Sequence, residues 1–346
     1  MAKGIARPAP VDRRRLSYGA LALWAAGAMG LVASQAFAGP RVPDARPVDN
    51  RDRTVSEWLT RMHDASRQRS YIGTFVVSSS NGAMSSARIW HACDGQRQVD
   101  RIESLSGEKR STFRKDDEVL TFLPETRTVR SERRETLGLF PELLNPGDGA
   151  IPDFYTARRV GSDRVAGFEA DIVQVLPKDG LRFGYRIWSE KKSGLVVKLQ
   201  TVDEGGKVLE QAAFSELQLD APVRMDRLAQ QMAVPEGWRV EKPEAVKTTA
   251  AAEGWGLKGP VSGFKPMSCY KRPNEGAVQW IFSDGLASVS VFIEQFDGKR
   301  HQQEGVFAAG ATHTLTRRLQ DWWITAVGEV PPQTLRAFAL GLERRK

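Results

Sequence analysis

Between residues 71 and 219 the sequence is a succession of short β-branched and aromatic segments cut by Gly, Asp, Asn and Pro turns. That succession restricts the chain to an antiparallel meander. Tyr71-Ile72-Gly73-Thr74-Phe75-Val76-Val77 opens it, Asn81-Gly82 supplies a hairpin turn, and Ala87-Arg88-Ile89-Trp90-His91 continues it. Further strands are expected at 97–105, 109–115, 118–123 and 126–133, then at 168–176, 181–188, 195–202 and 207–219. Asp179-Gly180 and Gly205-Gly206 mark tight turns between antiparallel neighbours. Residues 137–144 are expected as a short helix or loop, closed by Asn145-Pro146-Gly147. Ahead of the meander, Thr54 and Glu57 form a capping box. Val55, Trp58, Leu59 and Met62 recur at helical spacing behind it. One helix followed by a long meander predicts an α+β domain over 53–219, an unclosed antiparallel half-barrel wrapped around a helix.

Residues 220–236, with Ala221-Pro222 and Pro235-Glu236-Gly237 at its end, read as a connection to a second domain at 237–346. Its clearest unit is a hairpin: Val278–Phe282, the turn Ser283-Asp284-Gly285, and Leu286–Phe296. Ala287, Val289, Val291 and Ile293 alternate there with Ser288, Ser290, Phe292 and Glu294, so one face belongs to a core. Strands are also expected at 312–318 and 322–328. Pro331-Pro332 then opens a helix with Leu335, Phe338, Ala339 and Leu342 on one side. The smaller domain is therefore α+β as well.

The N-terminus sets the compartment. Lys3, Arg7 and Arg13-Arg14-Arg15 precede an apolar stretch from Leu16 to Ala33, and Ala36-Phe37-Ala38 has the small-x-small form of a cleavage signal. Residues 1–38 read as a signal peptide cut between Ala38 and Gly39, and the Pro-rich stretch 39–52 as a flexible lead-in; the apolar stretch is also long enough for an uncleaved membrane anchor, against which stand its Ala and Gly content and the cleavage signal. The formal net charge of the whole chain is +8. The segment 1–38 holds five basic residues and one acidic residue, half of that excess, and an exported chain rarely meets nucleic acid. No nucleic-acid partner is expected. Cys93 and Cys269 would enter an oxidising compartment, where they either pair or remain two buried thiols in separate domains.

Residue patterns that carry chemistry are few. The four histidines are His63, His91, His301 and His313. His91-Ala92-Cys93-Asp94 crowds three ligand types together, but on a strand His91 and Cys93 share a face from which Asp94 points away. No second His/Cys cluster accompanies them, so no metal is expected. No nucleophile elbow, phosphate-binding loop or dinucleotide fingerprint is present, and no catalytic residue or cofactor is assigned. Lys109, Arg110, Arg114, Lys115, Arg127, Arg130, Arg133 and Arg134 make either a surface for an anionic partner or a solvated sheet face, and the interleaved Glu125, Glu132 and Glu135 favour the second. Phe75, Trp90, Phe122, Phe183 and Trp188 would line an apolar-ligand chamber if one side of the sheet were left unfilled, and are otherwise core.

Taken together, several of these stretches resemble the RseB/MucB family of periplasmic sigma-factor regulators. In the smaller domain they are Phe282-Ser283-Asp284-Gly285-Leu286, Ser290-Val291-Phe292-Ile293-Glu294 and Val327-Gly328-Glu329-Val330-Pro331-Pro332. In the larger they are Tyr71–Phe75, Ile89-Trp90-His91, Arg164-Val165-Ala166-Gly167 and Tyr185-Arg186-Ile187-Trp188. The resemblance spans roughly residues 54 to 342. It implies a large domain like those of lipoprotein carriers, with no catalytic residues. It implies as partner the periplasmic part of a single-pass anti-sigma factor, shielded from proteolysis and released by lipopolysaccharide or another acylated ligand. A lipid or lipoprotein carrier is the alternative. Because the resemblance is strongest around the hairpin, Asp284, Gly285, Phe292 and Glu294 are the expected partner-binding residues. Phe292 is singled out as a large apolar side chain on an otherwise polar face; the alternative is that the C-terminal helix covers both sides of the hairpin and Phe292 is core, the usual place of a large aromatic.

Overall fold

The computed structural model describes residues 53–133, 140, 150–242, 245–272 and 276–345. The leader with its Ala38–Gly39 boundary, most of the lead-in and, apart from Phe140, the segment 137–144 lie outside them.

Helix α1 (Val55–Gln68) starts as its capping box dictates. The Glu57 amide donates to the Thr54 hydroxyl, and the Thr54 amide donates back to the Glu57 carboxylate at 2.6 Å. The meander follows as β1 (Tyr71–Ser79), β2 (Met84–Cys93), β3 (Gln98–Ser104), β4 (Ser111–Lys115), β5 (Glu118–Leu123) and β6 (Thr128–Arg133). After the short α2 (Ile151–Phe154) come β7 (Tyr155–Val165), β8 (Phe168–Pro177), β9 (Gly184–Glu190), β10 (Val196–Val202) and β11 (Val208–Leu219). Strand β1 pairs with both β2 and β11, so the meander folds back on its own beginning. With β12 (Arg239–Glu241) these strands form one twelve-stranded sheet in the order β12-β6-β5-β4-β3-β2-β1-β11-β10-β9-β8-β7. The terminal strands β12 and β7 do not pair with each other, so the sheet is unclosed, as expected.

The helix occupies one face. Val55, Trp58, Leu59, Met62 and Ala65 pack with Tyr71, Phe75, Ile89, Ile187, Leu199 and Phe214 in a single buried cluster. Each such side chain contributes roughly 1.5–3 kcal/mol of burial free energy. Gly73 makes the packing of Phe214 feasible: a Cβ there would lie 2.5 Å from the Phe214 ring. On the opposite face, residues 220–238 do not hang free as a linker. Helix α3 (Met225–Gln230) places Leu228 against Ala92 and Val99, Met232 joins Phe113, Leu120, Phe122 and Val129, and Trp238 closes that patch. Apolar spacing in 220–238 is too short to announce this, since six helical residues give barely two turns.

The second sheet contains β13 (Val246–Thr248), β15 (Lys265–Arg272), β16 (Ala277–Ser283), β17 (Ser288–Gln295), β18 (Gly305–Ala309), β19 (Thr312–Leu319) and β20 (Trp322–Gly328). Their order is β13-β15-β16-β17-β20-β19-β18. Helix α4 (Pro332–Gly341) covers one face with Leu335, Phe338 and Ala339, over Phe282, Val289, Val291, Ile293, Leu315, Ile324 and Ala326. Beside it, β14 (Trp255–Leu257) pairs with β21 (Leu342–Arg344). No helix among the described residues is long and apolar enough to cross a membrane.

Candidate partner-binding face and the junction beside it

The alternation in β17 decides which side chains meet α4 and which do not. Val289, Val291 and Ile293 are buried, whereas Ser290, Phe292 and Glu294 are half-buried and Ser288 is exposed. Register carries that outer face sideways: Phe292 stands opposite Gln279 on one side and Thr325 on the other, and Ser290 opposite Ile281 and Val327. Tyr270 extends the row beyond Gln279, and Thr316 extends it beyond Thr325. The result is a flat face of hydroxyls and scattered apolar groups with Phe292 near its middle. Core packing therefore does not account for Phe292. At the rim, β18 pairs with β19 only, and its Val306 and Phe307 are exposed at 36% and 42%. An open face ending in an apolar edge strand suits an incoming segment that lies across it or adds to the edge.

One end of the face is closed by its own contacts. Glu294 accepts from Arg300 at 3.0 Å and stands 3.1 Å from His301. The His301 ring stacks on Trp323 at 4.9 Å between centroids, and Arg318 lies 3.9 Å over the neighbouring Phe296 ring. Glu294 thus enters the face already partnered.

Asp284 is elsewhere. It is 1% exposed and belongs to a buried junction between the two sheets, which corrects the expectation that it greets a partner. The β8–β9 connection delivers Arg182, whose Nε donates to Asp284 at 2.6 Å. Its other two nitrogens donate to Asp179 and to the Ser262 carbonyl, at 2.5 and 2.6 Å. The Tyr155 hydroxyl donates to the same Asp284 oxygen at 2.9 Å. The second carboxylate oxygen accepts the Leu286 and Ala287 amides, shaping the turn in which Gly285 takes φ +97°. The Phe154 and Phe264 rings flank the guanidinium at 4.4 and 5.0 Å. Burial, with the charge of Asp284 among the lesser causes, drives the Tyr155 pKa far up, so the phenol stays a donor. Nearby, Gln333 and Thr334 of α4 donate to the Gly180 and Leu181 carbonyls. A carboxylate and a guanidinium on separate segments carry no local periodicity. In the sequence Asp179-Gly180 marks this connection only as a tight turn.

The aromatic residues expected around a ligand chamber do not share one. Phe75 is buried under α1 with Phe140 and Phe214; Phe122 packs with Phe113 and Trp238 on the other face. Phe183 meets His313 at 5.6 Å near the junction. The Trp188 indole donates to Asp163 under the Lys198 ammonium, and Trp90 is half-buried near the guanidinium of Arg101 at 4.7 Å. Helix α1 fills the face that would have been hollow. The Cys93–Cys269 bond is not formed either: both thiols are free, Cys93 at the end of β2 in the first sheet and Cys269 in β15 of the second. Arg114, grouped with the basic surface, is 1% exposed and paired with Asp100. Among the described residues no group of three or more His, Cys, Asp or Glu could hold a metal ion.

Comparison with known proteins places both sheets in one family. The MucB/RseB N-terminal domain model matches residues 54–232 and the MucB/RseB C-terminal domain model matches residues 249–343. The sigma factor AlgU regulatory protein MucB of Pseudomonas aeruginosa is 29% identical over 307 residues, covering 83% of this chain and 90% of that protein. The sigma-E factor regulatory protein RseB of Escherichia coli K12 is 26% identical over 289 residues, covering 81% and 88%. The crystal structure of MucB in complex with MucA(peri) superimposes with a TM-score of 0.63 at 28% identity, covering 84% of this chain and 99% of that one. The chain belongs to the MucB/RseB family.

Proposed function

We propose that this protein is an exported, periplasmic regulator of an envelope-stress sigma factor. It binds the periplasmic segment of a MucA-like, membrane-anchored anti-sigma factor and shields that segment from proteolysis, and a lipid or lipopolysaccharide signal releases it. The observation that carries this reading is the match of both halves of the chain to one family of regulators, including a MucB solved together with MucA(peri). The open face around Phe292 offers a surface of the required kind in the second sheet. Export follows from the leader, with cleavage after Ala38 leaving Gly39 as the first residue.

The test is capture of the periplasmic segment of a MucA-like anti-sigma factor by the mature chain, with affinity measured by calorimetry. A specific complex supports the reading, and absence of binding at tens of micromolar ends it. N-terminal sequencing of the exported protein checks the leader: a first residue other than Gly39 refutes that cut. The lipid-carrier alternative finds less support, because α1, separate clusters and a ring contact account for all five aromatics that would have lined its chamber.

A further inference from the structure

We propose that Cys93 is a site of oxidation by hydroperoxides, with its sulfenic acid held between the side chains of His91 and Gln98. The half-buried Cys93 ends β2. His91 precedes it by two positions on the same face, and Gln98 of β3 stands directly opposite. Opposed residues in an antiparallel ladder bring their Cβ atoms to roughly 4.5–5.5 Å. Both neighbours are almost fully buried; Gln98 Oε1 has no hydrogen-bond partner, and His91 Nε2 makes no well-formed hydrogen bond, although the Cys93 thiol is close enough to help raise the His91 pKa. Buried polar atoms without partners are uncommon enough to need a reason.

The rest of the row explains why His91 stays there as a cation. Tyr71, His91, Asp100 and Arg114 lie opposite one another across four strands. His91 Nδ1 is 2.5 Å from Asp100, which also takes both Nε and a terminal nitrogen of Arg114 at 2.7 and 2.6 Å. Burial alone would lower the imidazole pKa. The charge and hydrogen bond of Asp100, with a smaller contribution from Cys93, override it and raise the pKa to about 9. With both ring nitrogens protonated, Nε2–H is a donor. A thiol is a poor partner for such a donor and for an amide oxygen. A sulfenic acid fits both: its oxygen accepts from His91 Nε2–H, and its O–H donates to Gln98 Oε1.

The step balances without any further component. The Cys93 sulfur, as thiolate, attacks one peroxide oxygen; the S–O bond forms as the O–O bond breaks. Sulfur loses two electrons and the peroxide gains them, leaving as hydroxide that takes up the proton the thiol gave, so thiol and hydrogen peroxide yield sulfenic acid and water. The imidazolium stabilises the negative charge passing from sulfur to oxygen. Cys269, 5% exposed, with its pKa raised by burial and then by Glu253, is an internal control.

The experiment treats the mature protein with hydrogen peroxide at neutral pH, traps sulfenic acid with dimedone and maps the adduct by peptide mass. The expected result is labelling at Cys93 and not at Cys269, at least about tenfold faster than glutathione under the same conditions. His91→Asn should bring the rate down to that of glutathione, and Gln98→Met, which keeps the volume, should shorten the lifetime of the trapped species. A wild-type Cys93 that reacts no faster than glutathione overturns the proposal, whether or not either variant folds.

Discussion

Replacing Arg182 by Met keeps the side-chain stem and removes only the charged head. The structure says what that head does: it is fully buried, its pair Asp284 is fully buried, and it makes three hydrogen bonds between two aromatic rings. Removing it leaves the Asp284 carboxylate without its counter-charge, served only by the Tyr155 hydroxyl and two turn amides. Breaking a buried pair from one side costs about 3–5 kcal/mol. Asp284→Asn should cost less, roughly 1–3 kcal/mol, because the amide oxygen still accepts and Arg182 still has Asp179. Asp179→Ala should cost about 1 kcal/mol or less, because its carboxylate is 32% exposed. Urea unfolding followed by tryptophan fluorescence reads all three, since Trp255, Trp280, Trp322 and Trp323 lie in the second sheet or its flanking strands. With a slope of about 2–3 kcal/mol per molar urea, Arg182→Met should lower the midpoint by roughly 1–2 M. An Arg182→Met protein within about 1 kcal/mol of wild type, or one less affected than Asp179→Ala, would refute the reasoning.

Phe292→Ala should leave the fold almost intact, since the ring is half-buried, yet weaken partner binding by about 2 kcal/mol, roughly thirtyfold by calorimetry; a loss of stability with unchanged affinity would return Phe292 to the core. The raised pKa of His91 means the folded state holds a proton that the unfolded chain releases, so its contribution is complete below pH ~6.5 and disappears as pH rises through about 9. The unfolding free energy from urea titrations should fall by roughly 3 kcal/mol across that window in wild type and much less in His91→Gln. Burial first, and then Glu210, raises the pKa of Glu329, so that carboxylate costs stability once ionised; Glu329→Gln should stabilise the protein at neutral pH by about 1 kcal/mol or less, and no gain in thermal midpoint counts against it. Gly73→Ala should destabilise by about 1–3 kcal/mol, because the added carbon meets the Phe214 ring and the Glu216 carbonyl at 2.9 Å; a neutral effect in the same urea assay would show that the ring can move.

The parts legible in the sequence are those governed by local pattern. Helix α1, the alternation in β17 and the burial of Leu335, Phe338 and Ala339 all follow from spacing alone. Strand β7 shows no such alternation: Arg158, Arg159, Val160 and Arg164 are exposed along an edge, where one side of the backbone has no strand neighbour to impose a pattern. Edge strand β18 escaped notice for the same reason, with four successive exposed residues. The misplacement of Asp284 has a different origin. Its exposure depends on Arg182 and Tyr155, about a hundred or more positions away, and nothing in Ser283-Asp284-Gly285 encodes that meeting. That Phe292 lies on the face away from Val289, Val291 and Ile293 follows from the local alternation; whether it packs as core or stays open does not, because that depends on which face α4 covers.

The most direct test of the central claim is amide hydrogen exchange of the mature protein with and without the periplasmic segment of the proposed MucA-like partner. Binding is predicted to slow exchange in β18 and in the strands around Phe292, β16, β17 and β20, while the amides beneath α1 keep their rates. Saturating binding that leaves those strands untouched would contradict the placement of the site, and no binding at all would contradict the function.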